Sequence, residues 1–324
     1  MKADCLAARL AVFCAALVIA PHAAAQTYPE RPLRFVIPFP PGGGADNLAR
    51  VVAQPAGERL GQQIVIDNRA GAGGNIAAEV TAKAAPDGYT LLQANVAHAI
   101  SASLYRKLPY DIVKDFTPVT QLASIPFLLA VNPATGVQSV KDFIALAKAR
   151  PGQLNYASSG NGGPSHMAME LFKAMAGVEI RHIPYKGAVP AATDLIAGRV
   201  EASFFTVSAA LPYTANGRVK ALGLASARRS QLVPDLPTVG EAGVPGFEAS
   251  TWFGVMVPRG TPQSVVDKLH ATFTAALNAP GVRERLSNQG FDVVGSSPAE
   301  FSSYVRNEIP KWAKVVKASG AAVD

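Results

Sequence analysis

Three glycine-bearing segments hold the residues of this chain best suited to chemistry, and the chemistry they suit is anion capture. They are Pro38-Phe39-Pro40-Pro41-Gly42-Gly43-Gly44-Ala45-Asp46, Asn68-Arg69-Ala70-Gly71-Ala72-Gly73-Gly74-Asn75 and Tyr156-Ala157-Ser158-Ser159-Gly160-Asn161-Gly162-Gly163-Pro164-Ser165-His166. Each sits between a strand-like run and a helix-like run. A loop entering a helix N-terminus offers unpaired backbone N–H groups and the positive end of the helix dipole. Glycine lets that backbone approach a ligand closely and adopt positive φ. The first and third segments contain no arginine or lysine, so an anion held there rests on neutral donors. Arg69 and Lys186 are the nearest cations.

Catalytic patterns are missing from the same inventory. The chain has no Gly-x-Ser-x-Gly elbow, no His-Glu-x-x-His helix and no phosphate loop ending in Gly-Lys-Ser/Thr. Gly160 and Gly162 begin a dinucleotide fingerprint, but Ser165 stands where its last glycine belongs. Beyond the N-terminal segment the histidines are His98, His166, His182 and His270, and none has a neighbour at metal-site spacing. Ser165 and His166 are adjacent at a helix start. Neighbouring helical residues point about 100° apart, which opposes a serine–histidine nucleophile. No catalytic residue, metal site or cofactor is therefore expected. Ser165 reads as a helix cap, and His166 either faces a ligand or is buried.

The elements that must position these loops alternate. Strand-like runs are expected at 33–37, 64–66, 89–92, 127–131, 154–157, 180–184, 200–205 and 219–225. Helix-like runs fall at 46–60, 75–85, 165–176 and 190–198, with a further helix capped by Ser139. The last stretch reads as mainly helical: Thr261-Pro262 opens one helix and the capping box Ser297-Pro298-Ala299-Glu300 another, kinked at Pro310. Such a rhythm specifies an α/β protein with mainly parallel sheets flanked by helices. Met167, Met175 and the aromatic residues of the last helix read as core.

The N-terminus indicates export. A charged start with Lys2 and Arg9 precedes the apolar run 10–20, Pro21 breaks it, and Ala23-Ala24-Ala25 is a small-residue cleavage site. Residues 1–25 are thus expected to be a signal peptide, with the mature chain starting near Gln26 in the periplasm. Both cysteines, Cys5 and Cys14, fall in this segment, so the mature chain has no disulfide or thiol chemistry. The net charge of +7 comes from scattered basic residues rather than a stripe, which argues against a nucleic-acid partner.

An ordered set of short motifs resembles the Bug family, the exported solute receptors of tripartite tricarboxylate transporters. They are Tyr28-Pro29-Glu30-Arg31-Pro32, the first two glycine segments, Pro86-Asp87-Gly88-Tyr89-Thr90-Leu91 and Tyr110-Asp111-Ile112-Val113-Lys114-Asp115-Phe116. Tyr156-Ala157-Ser158-Ser159-Gly160, Ile183-Pro184-Tyr185-Lys186-Gly187, Leu236-Pro237-Thr238 and Trp252-Phe253-Gly254 complete the set. The resemblance implies a two-domain periplasmic-binding-protein clamshell of type II-like form. Its first domain would comprise 26–126 and 236–324, its second 127–235. A small carboxylate would lie in the cleft, and a membrane permease would be the partner. By motif, Phe39, Gly43 and Gly44 would line one wall, with the loop after the third strand (Asn95, Val96, to His98). Ser158, Ser159, Gly160, His166, Gly187 and Ala188 would line the other, with Phe205 and Thr206. Asp46 and Arg50 also match, Asp46 reading as a helix cap.

One departure bears on specificity. Many members of that family carry Phe-Asp after the Gly-Arg-Val turn, whereas this chain reads Gly198-Arg199-Val200-Glu201-Ala202-Ser203-Phe204-Phe205-Thr206. With Phe205 in place of the carboxylate, a ligand ammonium loses a partner, and a plain or aromatic carboxylate is favoured over an amino acid. Besides the transport receptor, two other classes fit the residues: a ligand-sensing partner of a membrane sensor kinase, and an exported hydrolase or transferase using the glycine loops as an oxyanion or phosphate site.

Overall fold

The computed structural model describes residues 28–322; the expected signal peptide and its cleavage site lie outside them. The chain begins β1 (Leu33–Ile37), α1 (Gly44–Leu60), β2 (Ile64–Asn68), α2 (Asn75–Ala82), β3 (Thr90–Asn95) and α3 (Val96–Leu104). Parallel pairing of β1 with β2 and with β3 forms the start of one sheet. Each strand leads into a helix, β3 directly and β1 and β2 through the glycine loops, so three helix N-termini gather at the carboxyl edge. Apolar side chains fix the layers: Phe35, Ile37, Leu91 and Leu48 fill one face, while Val36, Leu92 and Ala94 fill the other.

Next comes β4 (Phe116–Val131), much longer than the expected strand at 127–131. Pro118 and Pro126 argue locally against a continuous strand. The ladder accommodates Pro118 with a register shift, because a proline is tolerated where a bulge removes the need for its N–H. Over 116–126, β4 pairs with β9 (Ser250–Pro258) and, at Ala123 and Ser124, with β10 (Asp292–Val293). Beyond Pro126 it changes partners and lies between β7 (Ala202–Thr206) and β8 (Lys220–Leu224).

The second lobe grows from that half of β4. Its elements are α4 (Val140–Ala149), β5 (Asn155–Ser158), α5 (Pro164–Ala176), β6 (Arg181–Pro184), α6 (Ala188–Ile196), then β7, α7 (Val207–Ala215) and β8. Here β5 is parallel to both β6 and β7. In each lobe the crossover strands run one way and a long connecting strand runs against them: β9 against β3 in the first, β4 against β7 in the second. The result is a two-domain α/β clamshell.

The chain returns later than the sequence suggests. Residues 236–249, expected in the first domain, pack in the second: Val239, Val244, Phe247 and Ala249 share a core with Phe127, Phe143, Phe172 and Phe204. Three backbone bonds mark the crossing. Phe127 N–H donates to Ala249 O at 3.2 Å, Ala225 N–H to Phe127 O at 2.7 Å, and Ala249 N–H to Ala225 O at 3.0 Å.

The C-terminal portion is not purely helical, since β9 is a buried strand at the centre of the first sheet. After it come α8 (Gln263–Leu277), α9 (Val282–Ser287), β10 and α10 (Pro298–Ser319). The expected Thr261 cap is displaced by one residue: Pro262 is the cap position and the Thr261 hydroxyl donates to Pro258 O. The Ser297–Glu300 capping box forms, and α10 continues through Pro310. Gly254 of β9 lets α10 sit close, because a Cβ there would fall 2.2 Å from the Phe301 ring.

Candidate functional site

The two carboxyl edges face each other across the crossing strands. Asn95, at the end of β3, is the register partner of Phe253, which pairs in turn with Ala123 of β4. Thr206, at the end of β7, pairs with Phe127 of the same strand. Four residues of extended chain separate the two rungs, about 13 Å. The helix starts of α1, α2 and α3 therefore face those of α5, α6 and α7.

On the first rim, Gly43 is the cap position of α1 and has no side-chain cap. Asp46, expected as the cap, is the third helical residue and 2 % exposed. Its carboxylate accepts from Gly42 N–H (3.0 Å), Arg50 Nε (2.9 Å) and Asn68 Nδ2 (3.1 Å), while Asn68 also donates to Phe39 O. Burial alone would raise its pKa; these donors outweigh burial and hold it below the usual carboxylate range. The bracing leaves Gly43 exposed and Gly44 and Phe39 half-buried at the edge.

Asn95 and Val96 are both fully buried and so do not line the surface. The expected loop there is the first turn of α3: Asn95 Oδ1 accepts from Ala97 N–H, and His98 Nδ1 accepts from Asn95 N–H at 3.1 Å. His98 Nε2 lies 3.3 Å from Gly74 O, which fits the tautomer with hydrogen on Nε2 and ties the second glycine loop to α3. Burial pulls this imidazole down to about 4. Beneath the rim, Asn75 Nδ2, Gln93 Oε1 and Asn95 Nδ2 are buried without a protein partner, and Gln93 Nε2 donates to Ala45 O in the first turn of α1.

The second rim is organised differently. In the third glycine loop, Ser159 N–H donates to Ser165 Oγ (3.0 Å), Gly160 N–H to Ser158 Oγ (3.2 Å) and Gly162 N–H to His166 Nδ1 (2.9 Å). These N–H groups point into the protein rather than toward the cleft. Ser165 is not the cap; Gly163 is, and Ser165 ties the loop back. Ser158 and His166 are buried, and Phe205 is 4 % exposed in the core with Leu128, Val207 and Leu224. Ser159, Gly160, Gly187 and Thr206 are half-exposed and Ala188 is exposed. Gly187, at φ 112, begins α6 with open space where its Cβ would be.

Sequence reasoning found no serine–histidine pair, but the β5–β6 register makes one. Tyr156 pairs with His182, and Ser158 Oγ lies 2.6 Å from His182 Nε2. The signal was the strand pattern around His182, which sequence spacing alone cannot align with Ser158. Ser158 is 0 % exposed and donates to Gly160 O at 3.0 Å, so the hydroxyl is committed within the loop. Among the described residues, no group of three or more histidine, cysteine, aspartate or glutamate side chains is arranged for a metal. A groove of about 550 Å³ lies along Arg50, Gln54, Glu58, Gln63 and Ile66 on the outer face of α1 and β2, away from both rims.

Residues 48–321 match the receptor family of the tripartite tricarboxylate transporters. The chain belongs to that family. It is 40 % identical over 318 residues to the protein BugT of Bordetella pertussis, covering 98 % of each chain. Among solved structures it resembles R. palustris Rpa4515 with adipate, at 41 % identity and TM-score 0.85, covering 91 % of this chain and 99 % of that one. It also resembles MatC from Rhodopseudomonas palustris with bound malate, at 36 % identity and TM-score 0.82, covering 89 % and 100 %. The periplasmic binding protein BugD matches at 33 % identity and TM-score 0.82, covering 91 % and 99 %. These are solute-binding receptors of the periplasm.

Proposed function

We propose that the protein captures a small carboxylate in the periplasm, after cleavage near Gln26, and presents it to a tripartite-type membrane permease. The observation that carries this reading is the opposition of two rims of helix N-termini, one of them lacking a side-chain cap at Gly43. The relatives bound to adipate and malate support the ligand class. On the first rim the donors are the backbone N–H groups at Gly43 and Gly44. On the second they are the Ser159 and Thr206 hydroxyls and the exposed start of α6 at Gly187 and Ala188. Ser158 and His166 then support the wall from behind rather than touch the ligand.

A dicarboxylate fits this arrangement, since each rim offers neutral donors to one end. Asp46 is engaged by Arg50, and Asp67 by Arg34 and Arg69, which leaves these first-rim carboxylates less available to an ammonium. The test is a thermal-shift screen of residues 26–324 against adipate, malate, aromatic carboxylates and amino acids, followed by calorimetry. Stabilisation by a dicarboxylate is expected, with recovery of the ligand unchanged. Stabilisation by amino acids alone, or turnover of the bound acid, would overturn the reading.

A further inference from the structure

Behind the second rim lies a polar cluster that direct ligand contact does not use, with Tyr156, His166 and Glu170 buried and His182 and Lys173 half-buried. His166, on the first turn of α5, stacks on His182 of β6 with ring centroids 3.8 Å apart and planes 9° from parallel. His182 stacks in turn on Tyr156 of β5 at 4.9 Å. The Tyr156 hydroxyl donates to Glu170 Oε1 at 2.6 Å, and Lys173 Nζ lies 2.7 Å from the same oxygen. His166 Nε2 is 3.9 Å from Glu170 Oε1. The charged and titratable groups facing the two rings are thus Glu170 and Lys173 of α5 and Tyr156 of β5. From the first lobe, the approach to this loop is apolar: a Cβ on Gly162 would collide with Leu104 of α3.

The bonds around these rings admit one consistent proton assignment. His166 Nδ1 accepts the Gly162 N–H, so its hydrogen is on Nε2. Ser158 Oγ accepts the Gly160 N–H and donates to Gly160 O, so the remaining contact at 2.6 Å is His182 Nε2–H donating to Ser158 Oγ. Each of these contacts then pairs one donor with one acceptor while both rings are neutral. The turn needs such restraint, because Gly160 at φ 150 and Gly162 at φ 69 hold conformations with little intrinsic preference over others.

We propose that His166 and His182 are positioning residues for the ligand, a neutral clamp that holds the Ser158–Pro164 turn in its binding shape without touching the bound molecule. The proposal rests on the carboxylate-receptor reading for its consequence on affinity, but not for the clamp itself. Two charged imidazoles stacked face to face would repel, and a proton on His166 Nδ1 would turn the acceptor of the Gly162 N–H into a second donor. Burial, reinforced by the neighbouring His182 and Lys173, pulls His166 down to about 3, and burial pulls His182 to about 4. The wall therefore keeps one shape across the pH range in which carboxylate ligands are ionised.

The test separates the clamp from general stability with shape-matched variants. An asparagine at 166 supplies an oxygen near the Nδ1 position, and a glutamine at 182 supplies an N–H near Nε2. In His166→Asn and His182→Gln, exchange of the Gly160 and Gly162 amides and adipate affinity should stay within about threefold of the parent, whereas His166→Leu and His182→Leu should raise exchange and lower affinity at least tenfold. Circular dichroism and thermal unfolding establish that the leucine variants are folded; their apolar side chains suit the buried site. Histidine ring NMR on the unliganded parent should place both hydrogens on Nε2 and show no titration between pH 8 and pH 5. Ordinary titration near pH 6.5, or leucine variants with parental exchange, would overturn the clamp. If the parent bound neither adipate nor malate, the receptor reading for those ligands would fall, while the exchange and NMR results would still decide the clamp.

Discussion

Gly43 concentrates the binding hypothesis in one residue. Its φ of −81° and ψ of 172° are open to any side chain, and an added Cβ would meet only Pro40 O at 3.9 Å. Gly43→Val should therefore fold normally, with a melting temperature close to the parent. Its branched side chain would cover the N–H groups of the α1 start. Losing two hydrogen bonds to a carboxylate, at about 1.5–3 kcal/mol each, corresponds to a hundredfold or greater loss of affinity by calorimetry. Lys186→Met should lower affinity by much less, since Lys186 is exposed beside the rim. The opposite ranking would mean a lysine-centred ion pair. The residue scale is also where sequence reading was least complete. The exposure of Gly43, Ser159 and Ala188 followed from loop position, but the inward turn of Asn95, His166 and Phe205 depended on caps and strand register that only the assembled fold fixes.

At the scale of elements, the helix starts are braced by buried groups whose protonation has a calculable consequence. His98 joins α3 to the second glycine loop as a neutral ring, its pKa drawn to about 4 from an ordinary 6.5. A group depressed in this way is neutral when folded but takes up a proton when unfolded. Its stabilising contribution is present above pH 6.5 and is lost as pH falls toward 4, amounting to about 3 kcal/mol in full. Urea unfolding at pH 7.5 and pH 4.5 should show the decline, and His98→Asn, which keeps an acceptor but has no proton to gain, should reduce it and leave the share due to His166 and His182. A second brace joins α10 to β9. Glu308, 6 % exposed, accepts from Trp252 Nε1 at 3.1 Å and Trp312 Nε1 at 2.9 Å. Glu308→Ala would strand two buried indole donors and cost about 2–5 kcal/mol, measurable by denaturation. These two tryptophans are the only ones in the chain, so their fluorescence reports on this joint directly. Helices such as α1, α5 and α10 were legible because glycine, proline and serine punctuate their starts. By contrast, β9 and the long β4 were not, because burial on both faces erases alternation and the prolines of β4 mimic a loop.

At the scale of the whole molecule, β4 and β9 join the two lobes and α5 also bridges them. Met167 of α5 packs in the first-lobe cluster with Trp252 and Phe301, so a closing motion would turn about this packed side. An anion that draws donors from both rims stabilises the closed arrangement. Small-angle scattering should accordingly record a smaller radius of gyration with a saturating dicarboxylate than without it. The repeated strand–helix rhythm gave the α/β class, whereas the division into two lobes came from the family resemblance. The return point at Ala249 was legible in neither, because residues 236–249 have few regular elements and are assigned by the core they join.

The crossing at Phe127 and Ala249 has an evolutionary consequence. The second lobe is one uninterrupted stretch of chain whose two ends are neighbours, joined by a backbone hydrogen bond of 3.2 Å. Such a stretch is a cassette: it enters and leaves its host through a pair of adjacent peptide positions and needs no rerouting of the rest. Recombination at those positions would graft half of a foreign recognition surface onto the native other half in a single event. Homologous receptors exchanged at these positions would bring together new pairings of walls.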